Sequence, residues 1–162
     1  MKRWEYLISE QYKIRKIIAS HYLSSCDNVI DVGSYGEHLI GIDANKLHSI
    51  DPLMSIPDSF HGTFSEWLSR NQNLYGTIGV AILGFDIEGD GEYEELLSFL
   101  KGVDTIVLEY AMEFEPSVQQ SKHLMSQIPH KVETVINLEL PEVKTEGFPT
   151  YSKRKITILK RG

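Results

Sequence analysis

An acid, a glycine-rich bend and a second acid twenty positions downstream are the residues of this sequence best placed for chemistry. Val29-Ile30-Asp31-Val32 is a short, largely apolar run, and Gly33-Ser34-Tyr35-Gly36-Glu37 follows it directly. Glycine at that point lets the main chain turn sharply and lets a ligand approach the backbone. Asp51 ends the next such run, Leu47-His48-Ser49-Ile50, immediately before Pro52. An acid so placed can accept hydrogen bonds from both hydroxyls of a ribose, whether the ligand is an adenosine compound or NAD. Against a dinucleotide, no G-x-G-x-x-G follows a predicted strand. The sequence also lacks the G-x-S-x-G, phosphate-loop and H-E-x-x-H patterns, which leaves hydrolase, nucleoside triphosphatase and zincin readings without support. His61 is a secondary candidate base, and the other five histidines have no metal-type spacing.

Secondary structure must hold these residues in place, and hydrophobic periodicity indicates which elements do so. Leu7, Ile8, Tyr12, Ile14, Ile17, Ile18 and Tyr22 recur mostly at three- and four-residue steps, which predicts an amphipathic helix over 6–23 with those side chains as its apolar face. Strands are predicted at 29–33 and 47–51. A brief helical or irregular stretch lies between them, at 37–46. Residues 53–62 read as loop, and 63–71 as a short strand or turn leading into a helix around Phe64, Trp67 and Leu68. The nearly continuous apolar run 78–87 predicts a central strand covered on both faces. A helix over 92–100 turns Tyr93, Leu96, Leu97 and Leu100 inward, a buried strand follows at 105–110, and Pro116 opens a further helix that ends by Pro129. Residues 132–140 and 155–160 alternate apolar with polar, as an antiparallel pair does, across a loop containing Pro141, Gly147 and Pro149. The alternation predicts an α/β, Rossmann-like three-layer sandwich. Its sheet is mainly parallel, ends in a C-terminal antiparallel strand pair, and takes ligands at the carboxyl ends of the strands.

The bulk numbers fit one domain over 1–162, with residues 1–24 as an N-terminal helix packed on it. Hydrophobic residues make up 41% and charged residues 24%, too apolar for a disordered chain. No apolar stretch reaches the roughly 20 residues of a membrane span, and no secretory signal is visible, so a cytoplasmic setting is expected. The lone Cys26 excludes an internal disulfide and reads as a small apolar filler near a helix end. A net charge of −7 repels polyanions at long range, which disfavours nucleic acid as a partner.

The segment 29–37, an acidic residue and glycine turn after the first strand, resembles the first motif of the class I S-adenosylmethionine-dependent methyltransferases, and the order of elements is similar over nearly the whole chain. The resemblance implies S-adenosylmethionine as cofactor, with Asp31, Gly33, Ser34 and Gly36 beneath its methionine portion and Asp51 on its ribose. Tyr35 and Glu37 stand where the family pattern has further glycines. Gly62-Thr63-Phe64-Ser65-Glu66-Trp67-Leu68 resembles the third motif, which implies Thr63 and Phe64 beside the adenine, with Trp67 assigned to the core. Gly84-Phe85-Asp86-Ile87-Glu88-Gly89 is similar to the IDVEG-type segment of the FkbM methyltransferases, a family that includes O-methylating enzymes. It implies that Asp86 points into the cleft between cofactor and acceptor, with Glu109 facing the same opening. Two carboxylates there can position or deprotonate an acceptor hydroxyl, or hold a cation such as Mg²⁺.

The chain has neither the N/D-P-P-Y/F motif of amino-methylating enzymes nor the Pro-Cys nucleophile of the cytosine-C5 group, so an oxygen acceptor is expected by elimination. The loop 141–155 gathers Lys144, Phe148, Tyr151, Lys153, Arg154 and Lys155, which can cover an acidic or planar acceptor. No insertion is large enough to close an acceptor pocket, so the unknown acceptor is expected to be large or the site completed by a partner protein, a homo-oligomer being left open. The alternatives are a catalytically inactive methyltransferase-like binding or assembly module, in which Tyr35 and Glu37 fill the methionine pocket, and an NAD-type oxidoreductase.

Overall fold

In the computed structural model the described residues are 1–2, 5–6, 9–34, 37–52, 57–84 and 91–162, with the backbone alone at 91–92. They form helices α1 (Glu10–Leu23), α2 (Phe64–Arg70), α3 (Gly91–Leu100) and α4 (Glu115–Ser126). The strands are β1 (Asn28–Val32), β2 (Leu47–Asp51), β3 (Phe60–His61), β4 (Ile78–Leu83), β5 (Thr105–Ala111), β6 (Lys131–Glu139) and β7 (Lys153–Lys160).

One seven-stranded sheet results, in the order β3-β2-β1-β4-β5-β7-β6. The first five strands of that order run parallel, and β7 is antiparallel to both β5 and β6. This is the predicted α/β sandwich with its terminal antiparallel pair. Side chains alternate across each strand, so each strand feeds both faces. Ile30, Ile50, Val80, Ile82, Ile106 and Leu108 pack against the buried residues of α2, α3 and α4 on one face. On the other, Val29, Ala81, Val107, Ile156 and Ile158 pack against Ala19 and Leu23 of α1, with Cys26 buried among them as the expected filler.

Local chemistry accounts for several boundaries. Thr63 caps α2 by accepting a 3.2 Å hydrogen bond from the Glu66 amide, the T-x-x-E pattern that stabilises a helix start. Pro116 sits in the first turn of α4, where its missing N–H costs nothing. β4 stops at Leu83 because Gly84 takes a positive φ of 79°.

Helix α1 departs from expectation in which face it buries. Ile14 and Ile17 are exposed, while Arg15, Lys16, Ala19, Ser20 and Leu23 turn toward the sheet. The small Ala19 and Ser20 suit close packing, and Gly79 of β4 provides the space: a Cβ there would lie 2.7 Å from Leu23 Cδ2 and 2.8 Å from Cys26 Sγ. Gly79→Ala should therefore overpack this layer and lower the unfolding free energy by about 1–3 kcal/mol in a denaturant titration.

Candidate functional site

Asp31, Ser49, Asp51, Glu109 and Arg154 all share the sheet face that α1 covers, because each is an even number of residues from an apolar residue on that face. Four of them lie at or near the carboxyl ends of parallel strands, where open α/β sheets bind ligands. Arg154 opens the antiparallel β7 opposite Ala111 at the end of β5, so it joins the same edge. The buried face of α1 thus meets a row of polar groups.

At the end of β1 the chain bends at Gly33, which has φ 77°. The Gly33 and Ser34 amides both donate to the Ile50 carbonyl, at 2.8 and 3.0 Å, and this places the bend directly beside Asp51. Gly33 is exposed, and among the described residues nothing lies within 4 Å of a Cβ built on it. Asp51 is buried, and its carbonyl accepts from the Gly62 amide at 3.1 Å.

Lys16 reaches from α1 to this bend, where its ammonium donates to the Ser34 carbonyl at 2.6 Å and to the Glu37 carbonyl. Glu37 turns its carboxylate to Lys13 on the same helix, at 3.1 Å. Asp31 Oδ2 and Ser34 Oγ are buried with no hydrogen-bond partner among the described residues. Burial pushes the Asp31 carboxyl up to about 6, although Lys16 and Arg15 pull the other way. Lys16 is in turn shifted down by burial, with Asp31 opposing.

Glu109 is wholly buried. Arg15 Nη1 and Arg154 Nε bind its two oxygens, one guanidinium each. Burial alone would raise its pKa, but the two cations outweigh that and hold it below the usual carboxylate range. The expectation that Glu109 faces an opening meets a different finding: it is an ion-pair anchor, and a carboxylate held this strongly charged is a poor proton acceptor. Arg154, expected in an exposed loop, is a buried residue of β7.

The remaining candidates separate. Thr63 is spent on the α2 cap. Phe64 is 2% exposed and packs on Trp67 and Phe99 with ring centroids 6.1 and 5.4 Å away, so it is a core residue and no cover for a base. Trp67 is core, as expected. His61 is exposed at the end of β3. Tyr35, Gly36 and Asp86, with the rest of 85–90, lie outside the described residues, and among those described no group of three His, Cys, Asp or Glu is placed to hold a metal ion. A cavity of about 260 Å³ flanks β2, lined by Leu47, His48, Phe60 and Trp67 among others, and it includes none of the predicted site residues.

Sequence reasoning passed over Arg15 and Lys16. Their signal was their spacing with Ala19, Ser20 and Leu23, a face whose small residues mark close approach. Arg154 carried one too, since it shares the two-residue period of Ile156 and Ile158.

No protein-family model and no curated protein matches the sequence. Solved structures do. A 1,6-didemethyltoxoflavin-N1-methyltransferase from Burkholderia thailandensis, solved with its substrate and S-adenosylhomocysteine, is 10% identical over 96% of this chain and 80% of its own, with a TM-score of 0.59. An uncharacterized protein from Listeria monocytogenes is 13% identical over 96% and 68%, with a TM-score of 0.57. A candidate RNA methyltransferase from Pyrococcus horikoshii is 15% identical over 93% and 81%, with a TM-score of 0.53. The fold is that of the class I methyltransferases. In that class I fold the strand ends near Gly33, Asp51 and Gly84 form one continuous rim, and its chemistry must be argued from these residues and not from the fold.

An acid whose folded pKa exceeds its unfolded one favours the fold while it is protonated. The Asp31 contribution is whole below about pH 4 and is lost as pH climbs through about 6. Relative to Asp31→Asn, the wild-type chain should lose up to about 3 kcal/mol of unfolding free energy between about pH 4 and pH 7, measured by urea titration at each pH. Glu109→Gln should cost about 3–5 kcal/mol by leaving two guanidinia without their shared anion.

Proposed function

We propose that the protein is an S-adenosylmethionine-dependent methyltransferase acting on an oxygen acceptor. The observation that carries this reading is the exposed bend at Gly33, where the main chain turns at the carboxyl end of β1 beside Asp51 on the adjacent strand. A glycine bend of this kind beside an acid fits a ribose-bearing ligand that approaches the backbone. The fold adds support, since the Burkholderia protein holds S-adenosylhomocysteine.

The cofactor, when bound, supplies a methyl group on a positively charged sulfur. Each other part of the work falls to this chain. Asp51 accepts from the ribose hydroxyls, Gly33 lets the methionine portion lie against the main chain, and Lys16 fixes the turn through the Ser34 and Glu37 carbonyls. Holding the acceptor hydroxyl in place against the bound cofactor would be the chain's main contribution to rate. Asp86 is the proposed acceptor of the hydroxyl proton. Glu109 is a positioning residue that acts through its two arginines.

A second reading, a non-catalytic module of the same fold, is favoured by one observation. Lys16 fastens the bend to α1 through two carbonyls, an arrangement that also serves simple rigidity. Calorimetric titration with S-adenosylhomocysteine separates the two. The enzyme reading expects a dissociation constant on the order of micromolar, weakened at least tenfold, or about 1.4 kcal/mol, by Asp51→Ala. Absence of binding to the wild-type chain would leave only the module.

A further inference from the structure

Pairing along the outer edge of β2 stops short beside an open cavity. The carbonyls of Lys46 and Ile50 turn toward β1, accepting from Val29 and Gly33, so the alternate residues Leu47, Ser49 and Asp51 turn their backbone groups to the outer side. There the Asp51 carbonyl accepts from the Gly62 amide, just past β3. β3 covers only Ile50 and Asp51, through Phe60 and His61. A longer ladder would pair Asp58 with both the Leu47 carbonyl and the Ser49 amide. Asp58 instead takes a left-handed φ of 61°, the one positive value among the described non-glycine residues, and the ladder ends. Among the described residues no strand is left beside that carbonyl and amide.

Leu47 and Ser49 line the cavity of about 260 Å³ that flanks β2, and its other walls suit a flat molecule. His48 and Trp67 contribute rings whose centroids are 5.4 Å apart, and Phe60 adds a third. Burial shifts the His48 imidazole down, so at neutral pH it is an uncharged ring. Asp58 adds a carboxylate, and Asn71, whose Nδ2 donates to the Trp67 carbonyl at 2.8 Å, offers Oδ1 as an acceptor. His38 ties the segment entering β3 to β2, since its Nε2 donates to the Pro57 carbonyl at 2.5 Å and its Nδ1 lies 2.7 Å from Ser49 Oγ. The volume is below the roughly 300–1,000 Å³ of sites for drug-sized ligands, which limits the occupant to one small ring system.

We infer that this cavity binds a nitrogen heteroaromatic with an amino group next to a ring nitrogen, the edge that adenine and cytosine present. A carbonyl and the amide two residues on stand side by side along an extended edge, one an acceptor and the other a donor. The amino group donates to the Leu47 carbonyl, the ring nitrogen accepts from the Ser49 amide, and the ring lies against His48, Phe60 and Trp67. Asp58 and Asn71 offer acceptors for the second amino hydrogen. Leu47 and Asp51 are the two ends of β2, about 13 Å apart, so the cavity sits toward the amino end of the strand and away from the rim proposed for the cofactor. Binding here does not depend on the methyltransferase reading.

The test uses the full ¹⁵N-labelled chain and follows the Ser49 amide and Trp67 indole signals during titration with adenine, alone and with saturating S-adenosylhomocysteine. The expected result is a saturable shift shared by both signals, weakened about fivefold or more when adenine is replaced by 6-(dimethylamino)purine, which has no amino hydrogen to donate. His48→Ala, which removes one ring and leaves the backbone pair, should weaken adenine by about threefold or more. S-adenosylhomocysteine should leave the adenine shift in place. No shared shift in the wild-type chain, which needs no variant to fold, would overturn the site. Equal binding of the two purines would overturn the pairing with the edge of β2. Loss of the adenine shift to S-adenosylhomocysteine, with that compound itself moving both signals, would assign the cavity to the cofactor's own base and overturn a separate site. If adenine binds and S-adenosylhomocysteine does not, the cavity site stands and the methyltransferase reading falls.

Discussion

Glu109 is wholly buried yet charged, because arginines from two distant parts of the chain bind its carboxylate. Arg15 stands 94 positions away on α1, and Arg154 stands 45 positions away on β7. Taking three charged groups out of water is expensive, and the cost is recovered only when every member is held in good geometry. The triad therefore acts as a registration device. It sets the rotation of α1 over the sheet, which in turn decides that Lys16, and not an isoleucine, meets the bend after β1. The ledge of polar groups at the strand ends exists in this form because that helix is turned this way.

The two sheet faces are consequently different materials. The face under α2, α3 and α4 is a continuous apolar layer from Ile50 to Leu108 that carries most of the hydrophobic stabilisation. The face under α1 mixes a smaller apolar cluster with Asp31, Asp51, Glu109 and Arg154. Stability and chemistry are thus assigned to opposite sides of one sheet. A strand tolerates this because its successive side chains point opposite ways. Asp31 shows the tension, since its raised pKa and an oxygen with no partner among the described residues mark a position where the fold accepts a cost that apolar packing elsewhere must offset.

The sequence made the sheet legible wherever a strand was long and apolar. Residues 105–110 needed only their uninterrupted apolar pattern, whereas of the strand expected over 78–87 the described part is Ile78–Leu83, which turns at Gly84. Phe64 was misread because an aromatic beside a motif looks the same whether it covers a ligand or a core, and only the packing of Trp67 and Phe99 decides. Helix α1 was misread for a deeper reason. Hydrophobic periodicity assumes that the apolar stripe is the buried one, whereas here ion pairing and close backbone approach outweigh the gain from burying Ile14 and Ile17. No local pattern encodes a partner 94 residues away.

The placement of β7 between β5 and β6 has a consequence for how the chain is made. β6 is synthesised first but has no neighbour in the sheet until β7 follows, so a nascent chain carries nine unpaired strand residues while the connecting segment emerges. Since Arg154 sits on that same late strand, the buried carboxylate on β5 also waits for its second cation. Closure of the sheet edge and neutralisation of its core are then a single late event in folding, an opportunity for a chaperone and a window for mispairing.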